Sequence, residues 1–108
     1  MSITLPDPIA AFFRASNFYE LPFPGDCFTD DAVVRDEGHL YQGRHAIQLW
    51  LAETQRRYMY SVEPLTSEGD GVCLRVQAKL AGAFPGSPLQ ITYSFTLINN
   101  KISLLEII

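Results

Sequence analysis

The sequence predicts an α+β fold in which helices pack on one face of an antiparallel sheet. Apolar residues recur at helical spacing in two segments, residues 7–20 and 44–57. Apolar and polar residues then alternate in residues 72–80 and 89–97, which a turn-rich stretch separates. Strands that follow helices in this order favour the α+β class. The length of 108 residues fits one domain, spanning residues 1–108.

The composition predicts a folded protein with a ring-lined interior. Apolar residues make up 47% of the chain and charged residues 19%, so we expect a packed core rather than disorder. Seven Phe, five Tyr and one Trp favour a core or cavity lined by aromatic rings. Cys27 and Cys73 are expected to be free thiols.

The charge pattern argues against nucleic-acid and membrane partners. The net charge is −4, and the Lys and Arg residues are scattered rather than arranged in a basic stripe. No apolar run is long enough to span a membrane, and the first residues lack the basic and apolar regions of a secretory signal. We therefore expect a cytoplasmic protein.

Two helices follow from the local pattern. An Asp-Pro pair at residues 7–8 can begin the first helix, because the Asp caps free N–H groups and Pro suits the first helical position. Two prolines in residues 21–25 must end it. In the second helix Ile47, Trp50 and Leu51 share a face, and two arginines occupy its last turn.

The first predicted strand, residues 32–37, has two different faces. Ala32, Val34 and Asp36 point one way, whereas the other face carries opposite charges and should meet water. This alternation places the Asp36 carboxylate at the end of a buried face. The connection that follows, residues 38–43, contains His39.

The remaining strands are predicted at residues 58–63, 72–80, 89–97 and 102–108. In the strand at residues 72–80, the residues predicted to point inward are Val72, Leu74, Val76, Ala78 and Leu80. Turns are expected at residues 84–88 and 99–100, and the last strand is apolar enough to be central in the sheet. One face of residues 89–97 is polar but uncharged, which predicts a homodimer interface formed by Gln90, Thr92, Ser94 and Thr96.

Three segments carry a resemblance to a known family. They are residues 9–13 (IAAFF), 28–36 (FTDDAVVRD) and 41–47 (YQGRHAI), supported by the closing hairpin strands. Nearly the whole chain resembles the nuclear transport factor 2-like superfamily, in its SnoaL-like and steroid isomerase-like branch. The resemblance implies a cystatin-like α+β roll, in which a cone-shaped, strongly curved antiparallel sheet packs on N-terminal helices. It also implies a cavity for a small apolar or aromatic ligand, with no cofactor.

The resemblance also implies roles for particular residues. In the steroid isomerases an aspartate after the DAxV run is the general base, and Asp36 occupies that position. Those enzymes stabilise an enolate with a tyrosine of the first helix and a protonated aspartate of a late strand. This chain offers Phe12 or Phe13 at the first of these positions and Tyr93 at the second.

These considerations define a set of candidate site residues. Asp36 and His39 are the candidate catalytic residues, with His39 orienting or protonating a substrate oxygen. The candidate ligand-binding residues are Phe12, Trp50, Tyr58, Tyr93 and Glu106.

Each candidate residue also has a purely structural interpretation. Asp36 could cap a backbone turn, His39 could be a solvent-facing loop residue, and the aromatic residues could belong to the core. Glu106 could face the pocket mouth or lie at a solvated strand end. A metal site is not expected, because Asp36 and the neighbouring Glu37 point to opposite faces and no H-x-x-x-H spacing is present.

Two functions remain open at this point. One is a cofactor-independent isomerase, cyclase or dehydratase that uses Asp36 for acid–base chemistry beside a carbonyl. The other is a non-catalytic ligand-binding or dimerisation domain of the same fold.

Overall fold

The computed structural model describes residues 3–17 and 25–108, so the proline-rich end predicted for the first helix lies outside the described residues except for Gly25. A short 3-10 turn at Gly25–Cys27 precedes the first strand. The helices are α1 (Asp7–Asn17) and α2 (Arg44–Tyr58). The strands are β1 (Phe28–Asp36), β2 (His39–Gln42), β3 (Ser61–Gly69), β4 (Cys73–Ala81), β5 (Leu89–Ile98) and β6 (Lys101–Ile107).

The six strands form one sheet, in the order β2-β1-β6-β5-β4-β3. The predicted α+β class is confirmed, and β6 is central as expected, with Ile102 and Leu105 fully buried. The sheet is mixed rather than wholly antiparallel, because β1 and β6 run parallel. The chain returns from β5 through the turn at Asn99-Asn100, and this turn aligns β6 with the direction of β1.

The first strand begins four residues earlier than predicted. Phe28 is fully buried and pairs with Ile102 of β6. The sequence concealed this early start, because the polar residues 29–31 follow Phe28 and interrupt the apolar pattern of the strand. The pairing of β1 with β6 also shifts register between Phe28 and Val33. The burial pattern then alternates as predicted, with Ala32 and Val34 buried and Arg35 exposed.

The segment predicted as a connection contains β2. Glu37 and Gly38 form a two-residue turn with φ angles of 52° and 78°, so that Asp36 pairs directly with His39. Positive φ at both central residues matches the right-handed twist of a hairpin. The turn interrupts the strand alternation, so Glu37 does not follow the outward face on which the sequence placed it.

Strand boundaries also differ in β3 and β4. Tyr58 ends α2 instead of beginning a strand, and Met59, with φ 48°, closes the helix by donating its N–H to the Gln55 carbonyl. Pro64 lies in β3, which is an edge strand where a missing N–H is tolerated. Val72 was predicted to face inward, but it precedes β4 in a bend and is 54% exposed.

The core lies between the two helices and the inner face of the sheet. Phe12 is at its centre, with ring-centroid distances of 5.4 Å to Phe13, 6.1 Å to Phe28 and 5.8 Å to Phe95. Cys27 is buried and Cys73 exposed, and both are free thiols. Among the described residues, neither helix has the length and apolar character needed to cross a membrane.

Candidate functional site

A cavity of about 580 Å³ opens where β1 ends beside the last turns of α2. Its walls are mostly apolar and aromatic, and two carboxylates lie at the β1 end. The lining residues are Asp36, Glu37, Trp50, Thr54, Tyr58, Tyr60, Leu80, Phe84, Pro85, Leu89, Ile91, Tyr93, Ile107 and Ile108. A cavity of this size and composition suits a small apolar molecule with a few polar groups.

Asp36 is held in the cavity wall by Trp50. The indole Nε1–H of Trp50 donates to Asp36 Oδ2 over 3.0 Å. Trp50 is itself buried and stacks on Phe12, with ring centroids 6.2 Å apart and planes 4° from parallel. The aromatic core therefore fixes the donor that positions the carboxylate.

Burial raises the pKa of Asp36 above its ordinary value. The hydrogen bond from Trp50 opposes this rise, since it favours the charged form. The charge of Glu37 raises the pKa further, whereas the Glu37 backbone N–H and the nearby His39 lower it. A carboxylate with a raised pKa beside a cavity has the properties of a general acid or base.

Two phenols lie near this carboxylate. Burial raises the pKa of Tyr60 and of Tyr93, and the charge of Asp36 adds to both shifts, so both side chains are neutral at physiological pH. Tyr93 is only 3% exposed, and no described residue forms a hydrogen bond with its hydroxyl group. The cavity thus contains neutral O–H donors beside a carboxylate.

The rim of the cavity joins the β1–β2 hairpin to the end of α2. The Tyr58 hydroxyl donates to Glu37 Oε1 over 2.8 Å, and Arg57 Nη1 lies 4.0 Å from Glu37 Oε2. The Tyr58 ring meets Phe84 edge to face at 5.9 Å. The Ala83 N–H donates to the Tyr58 carbonyl, which attaches the loop between β4 and β5 to the helix end.

The structure brings Asp36, Trp50, Tyr58 and Tyr93 together in the cavity wall. Phe12 does not line the cavity, because it lies one layer deeper and supports Trp50 from behind. Phe12 was predicted to contact a ligand, but in the structure it packs in the core behind Trp50.

The structure does not bring His39 or Glu106 to the cavity. His39 pairs with Asp36 across the hairpin, but it lies on the outermost strand and is exposed. Glu106 belongs to the outer face of the sheet, where it pairs with Ser94 and lies 3.6 Å from Arg35 in an ion pair. The inward orientation considered for Glu106 is wrong, because a register shift in β6 changes the alternation.

Sequence reasoning missed Glu37, Tyr60 and Phe84 as lining residues. Glu37 reaches the cavity through its left-handed turn, which strand alternation could not reveal. Tyr60 lies in the segment predicted as a strand at residues 58–63, and its phenol was a usable signal, because a ring with a polar end tends to lie at a boundary. Among the described residues, no group of three His, Cys, Asp or Glu side chains is placed to hold a metal ion.

Solved structures similar to this chain share its fold. A candidate polyketide cyclase from Sinorhizobium meliloti is 41% identical, with a TM-score of 0.90, covering 96% of this chain and 95% of its own. A hypothetical protein with a ketosteroid isomerase-like fold from Catenulispora acidiphila is 20% identical, with a TM-score of 0.81 and coverages of 97% and 86%. An LEH-like epoxide hydrolase from M. tuberculosis is 18% identical, with a TM-score of 0.75 and coverages of 94% and 79%.

No protein-family model matches the sequence, and no curated protein matches it. The two more distant structures establish the fold alone. The candidate polyketide cyclase is similar enough, over nearly the full length of both chains, to establish the family. The chain therefore belongs to the nuclear transport factor 2-like superfamily, in its SnoaL-like branch with polyketide cyclase-like and ketosteroid isomerase-like members.

Proposed function

We propose that this protein is a small-molecule enzyme that transfers a proton at a carbon beside a carbonyl, as an isomerase, cyclase or dehydratase. The observation that carries the proposal is the Asp36 carboxylate, which Trp50 anchors inside an apolar cavity beside neutral phenols. General bases of this kind need a fixed position and a pKa shifted toward neutrality. The name of the 41% identical relative, a candidate polyketide cyclase, supports the same class of chemistry.

The chemical step uses Asp36 and Tyr93. The ionised carboxylate of Asp36 accepts a proton from the carbon beside the carbonyl, and the electron pair of that C–H bond forms the enolate. Negative charge develops on the carbonyl oxygen, to which the Tyr93 hydroxyl donates a hydrogen bond. In an isomerisation Asp36 then returns the proton to another carbon, which the enolate electron pair binds. In a dehydration that pair forms a C=C bond as the C–O bond of the leaving group breaks, and Asp36 gives the proton to the departing oxygen. The hydroxyl of Tyr93, which has no described partner, is free to take this role.

A non-catalytic binding domain is the second candidate. The observation in its favour is that α1 presents Phe12 and Phe13 where the steroid isomerases have a tyrosine, and both rings are packed in the core. Any oxyanion stabilisation must therefore come from Tyr93 and Tyr60.

Hydrogen–deuterium exchange of a model ketone separates the two candidates. The protein is incubated in D₂O with 2-tetralone, and the loss of hydrogen beside the carbonyl is followed by proton NMR. Asp36→Asn keeps an acceptor for the Trp50 indole but removes the base, so we expect the protein-dependent rate to fall by roughly 10²- to 10⁴-fold. Asp31→Asn, the same change at an exposed position of β1, is the matched control and should leave the rate unchanged. Exchange that survives Asp36→Asn would remove Asp36 from the mechanism.

The pH dependence follows from the direction of the Asp36 pKa shift. The base is active when ionised, so the exchange rate should rise with pH through a pKa above the ordinary value of 3.8. The folded protein binds this proton more tightly than the unfolded chain. The contribution to stability is therefore present at low pH and is lost as pH rises from 3.8 through the folded pKa. Carbon-13 NMR titration of the Asp36 carboxyl measures the shift, and an ordinary value would favour the binding-domain candidate.

We also propose that the outer face of the sheet forms a homodimer interface. Thr92 Oγ1 donates to Gln77 Oε1 over 3.0 Å, and Gln90 and Ser94 continue the same neutral strip. Charged residues flank it on β4 and at the Arg35–Glu106 pair. Light scattering should give twice the chain mass, and Thr92→Lys should shift it toward the monomer. A monomer for the unaltered chain at high micromolar concentration would contradict the proposal.

A further inference from the structure

The cavity has an uneven charge distribution. Two of its lining residues, Asp36 and Glu37, carry carboxylates, and no Lys, Arg or His is among the described residues that line it. Five further lining residues carry aromatic rings: Trp50, Tyr58, Tyr60, Phe84 and Tyr93. We infer that the ligand of this cavity is an organic cation, in which an apolar body carries an alkylated ammonium group. This inference rests on the proposed function and names its substrate class.

Aromatic rings favour a cation because their faces carry partial negative charge. A cation within about 6 Å of a ring centroid is attracted to it, and the attraction grows when water is excluded. At the rim, Tyr58 and Phe84 meet edge to face at 5.9 Å, so their planes form two sides of a corner. Glu37 lies at the hydroxyl end of the Tyr58 ring, where its Oε1 accepts a hydrogen bond from the Tyr58 hydroxyl. Rings and a fixed carboxylate together complement an ammonium group.

The nearby arginines do not cancel the negative electrostatic potential of the cavity. Arg56 is paired with Glu53 on the exposed side of α2. Arg57 lies 4.0 Å from Glu37, and its guanidinium carbon lies 5.7 Å from the centroid of the Tyr58 ring, but the Arg57 and Glu37 side chains are both more than half exposed, so water screens their charges. Neither arginine lines the cavity. The C-terminal end of α2 adds a partial negative charge of its own at Tyr58.

The available hydrogen-bond acceptors favour an alkylated ammonium over a primary one. A primary ammonium donates three hydrogen bonds, and the carboxylate acceptors are already shared with Tyr58, which donates to Glu37, and Trp50, which donates to Asp36. The Thr54 hydroxyl donates to a backbone carbonyl within its own helix. The other walls are apolar and accept alkyl groups, notably Leu80, Leu89, Ile91 and Ile107. An anionic ligand would instead meet two carboxylates, and Arg57, which lies near Glu37, is not among the residues that line the cavity.

Trp50 provides the measurement, because it is the sole tryptophan of the chain and lines the cavity. Its fluorescence is titrated at about pH 8, well above the ordinary pKa of a carboxyl group, with benzyltrimethylammonium and separately with 2,2-dimethylpropylbenzene. The two probes have the same shape, but carbon replaces the charged nitrogen in the second. We expect the cation to bind on the order of tenfold more tightly or better.

Variants test the source of this preference. Glu37→Gln keeps an oxygen for Tyr58 but removes the charge, and it should reduce the preference for the cation several-fold. Combining it with Asp36→Asn should bring the two probes close to equal affinity. Phe84→Leu should weaken binding of the cationic probe more than binding of its uncharged isostere. Glu53→Gln, the same change on the outer side of α2 and away from the cavity, should leave the preference intact.

Equal affinity for the two probes, or no saturable binding of the cation, would overturn the inference. So would a preference that survives the double variant. These results are independent of the ketone-exchange assay, which uses an uncharged substrate. Exchange that persists in Asp36→Asn alongside a clear preference for the cation would remove the catalytic proposal and leave the ligand class standing.

Discussion

The two ends of the interior are built from the same face of the same sheet, yet one is solid and the other hollow. At the solid end Phe12, Phe28 and Phe95 are almost completely buried, and their rings meet at angles of 72–85°. At the hollow end the rings belong to Trp50, Tyr58, Tyr60, Tyr93 and Phe84, and they surround the cavity of about 580 Å³. Phenylalanine dominates the first group, whereas nearly every ring of the second carries an O–H or N–H.

This difference in side-chain chemistry explains where packing stops. A phenol that is closed into a hydrocarbon core without a partner loses its hydrogen bonds to water, which costs roughly 1–3 kcal/mol. Tyr93 lies at the boundary between the two ends. Its ring stacks on Phe95 at 6.2 Å with planes 11° apart, and the residue also lines the cavity. The residue therefore contributes to the core and to the site at once.

Replacing a phenylalanine at each end should give the largest contrast. Phe12→Ala removes a buried ring that contacts five other rings, and we expect the free energy of unfolding to fall by about 3–5 kcal/mol. Phe84→Ala removes a partly buried ring that borders empty space, and its cost should stay below about 1.5 kcal/mol. Urea unfolding followed by circular dichroism measures both, and equal losses would mean that the hollow end is packed as tightly as the core.

Much of the solid end could be predicted from the sequence, because it follows from periodicity. The inward set of β1 and most of that of β4 were predicted from alternation alone, and the central position of β6 from its apolar composition. The limits lay where the backbone leaves its regular period. The Glu37-Gly38 turn and the register shift near Thr96 each change which face a side chain meets. Glu37 was misplaced for this reason, and for the same reason the inward alternative for Glu106 is wrong.

The hollow end was predictable only in part. Asp36 could be placed because it ends a strand whose alternation is clear. The hydrogen bond from Trp50 to Asp36 could not be predicted, because it joins α2 to β1. Only the packing of the folded chain brings the indole nitrogen within 3.0 Å of the carboxylate oxygen. Tyr60 and Phe84 lie outside the strands, where no period constrains a side chain.

Trp50 connects the two ends, so an altered Trp50 tests whether the solid end controls the site. Trp50→Phe keeps a ring against Phe12 but removes the indole N–H, and the Asp36 carboxylate loses a donor that favours its charged form. We expect the pKa of Asp36 to rise further, which moves the acid limb of ketone exchange to higher pH. The stability cost should be about 1–3 kcal/mol, because a partly buried acceptor loses its partner.

Carbon-13 titration of Asp36 and the pH profile of exchange should shift together in Trp50→Phe. The matched variant is Phe13→Leu, which alters the same core layer without touching the Trp50–Asp36 hydrogen bond and should leave the titration in place. An unchanged Asp36 pKa in Trp50→Phe would show that the hydrogen bond from Trp50 does not contribute to this pKa.

The smallest expected effect compares two isoleucines of β6. Ile102 is fully buried at the solid end and pairs with Leu97, whereas Ile107 pairs with Tyr93 and lines the cavity. Ile→Val removes one methylene group in each case. At Ile102 the loss leaves a new gap and should cost about 0.5–1.5 kcal/mol. At Ile107 the methylene already borders open space, so the cost should stay under about 0.5 kcal/mol and the cavity should widen slightly. Thermal unfolding of both variants resolves the difference, and a larger loss at Ile107 would mean that the cavity closes in solution.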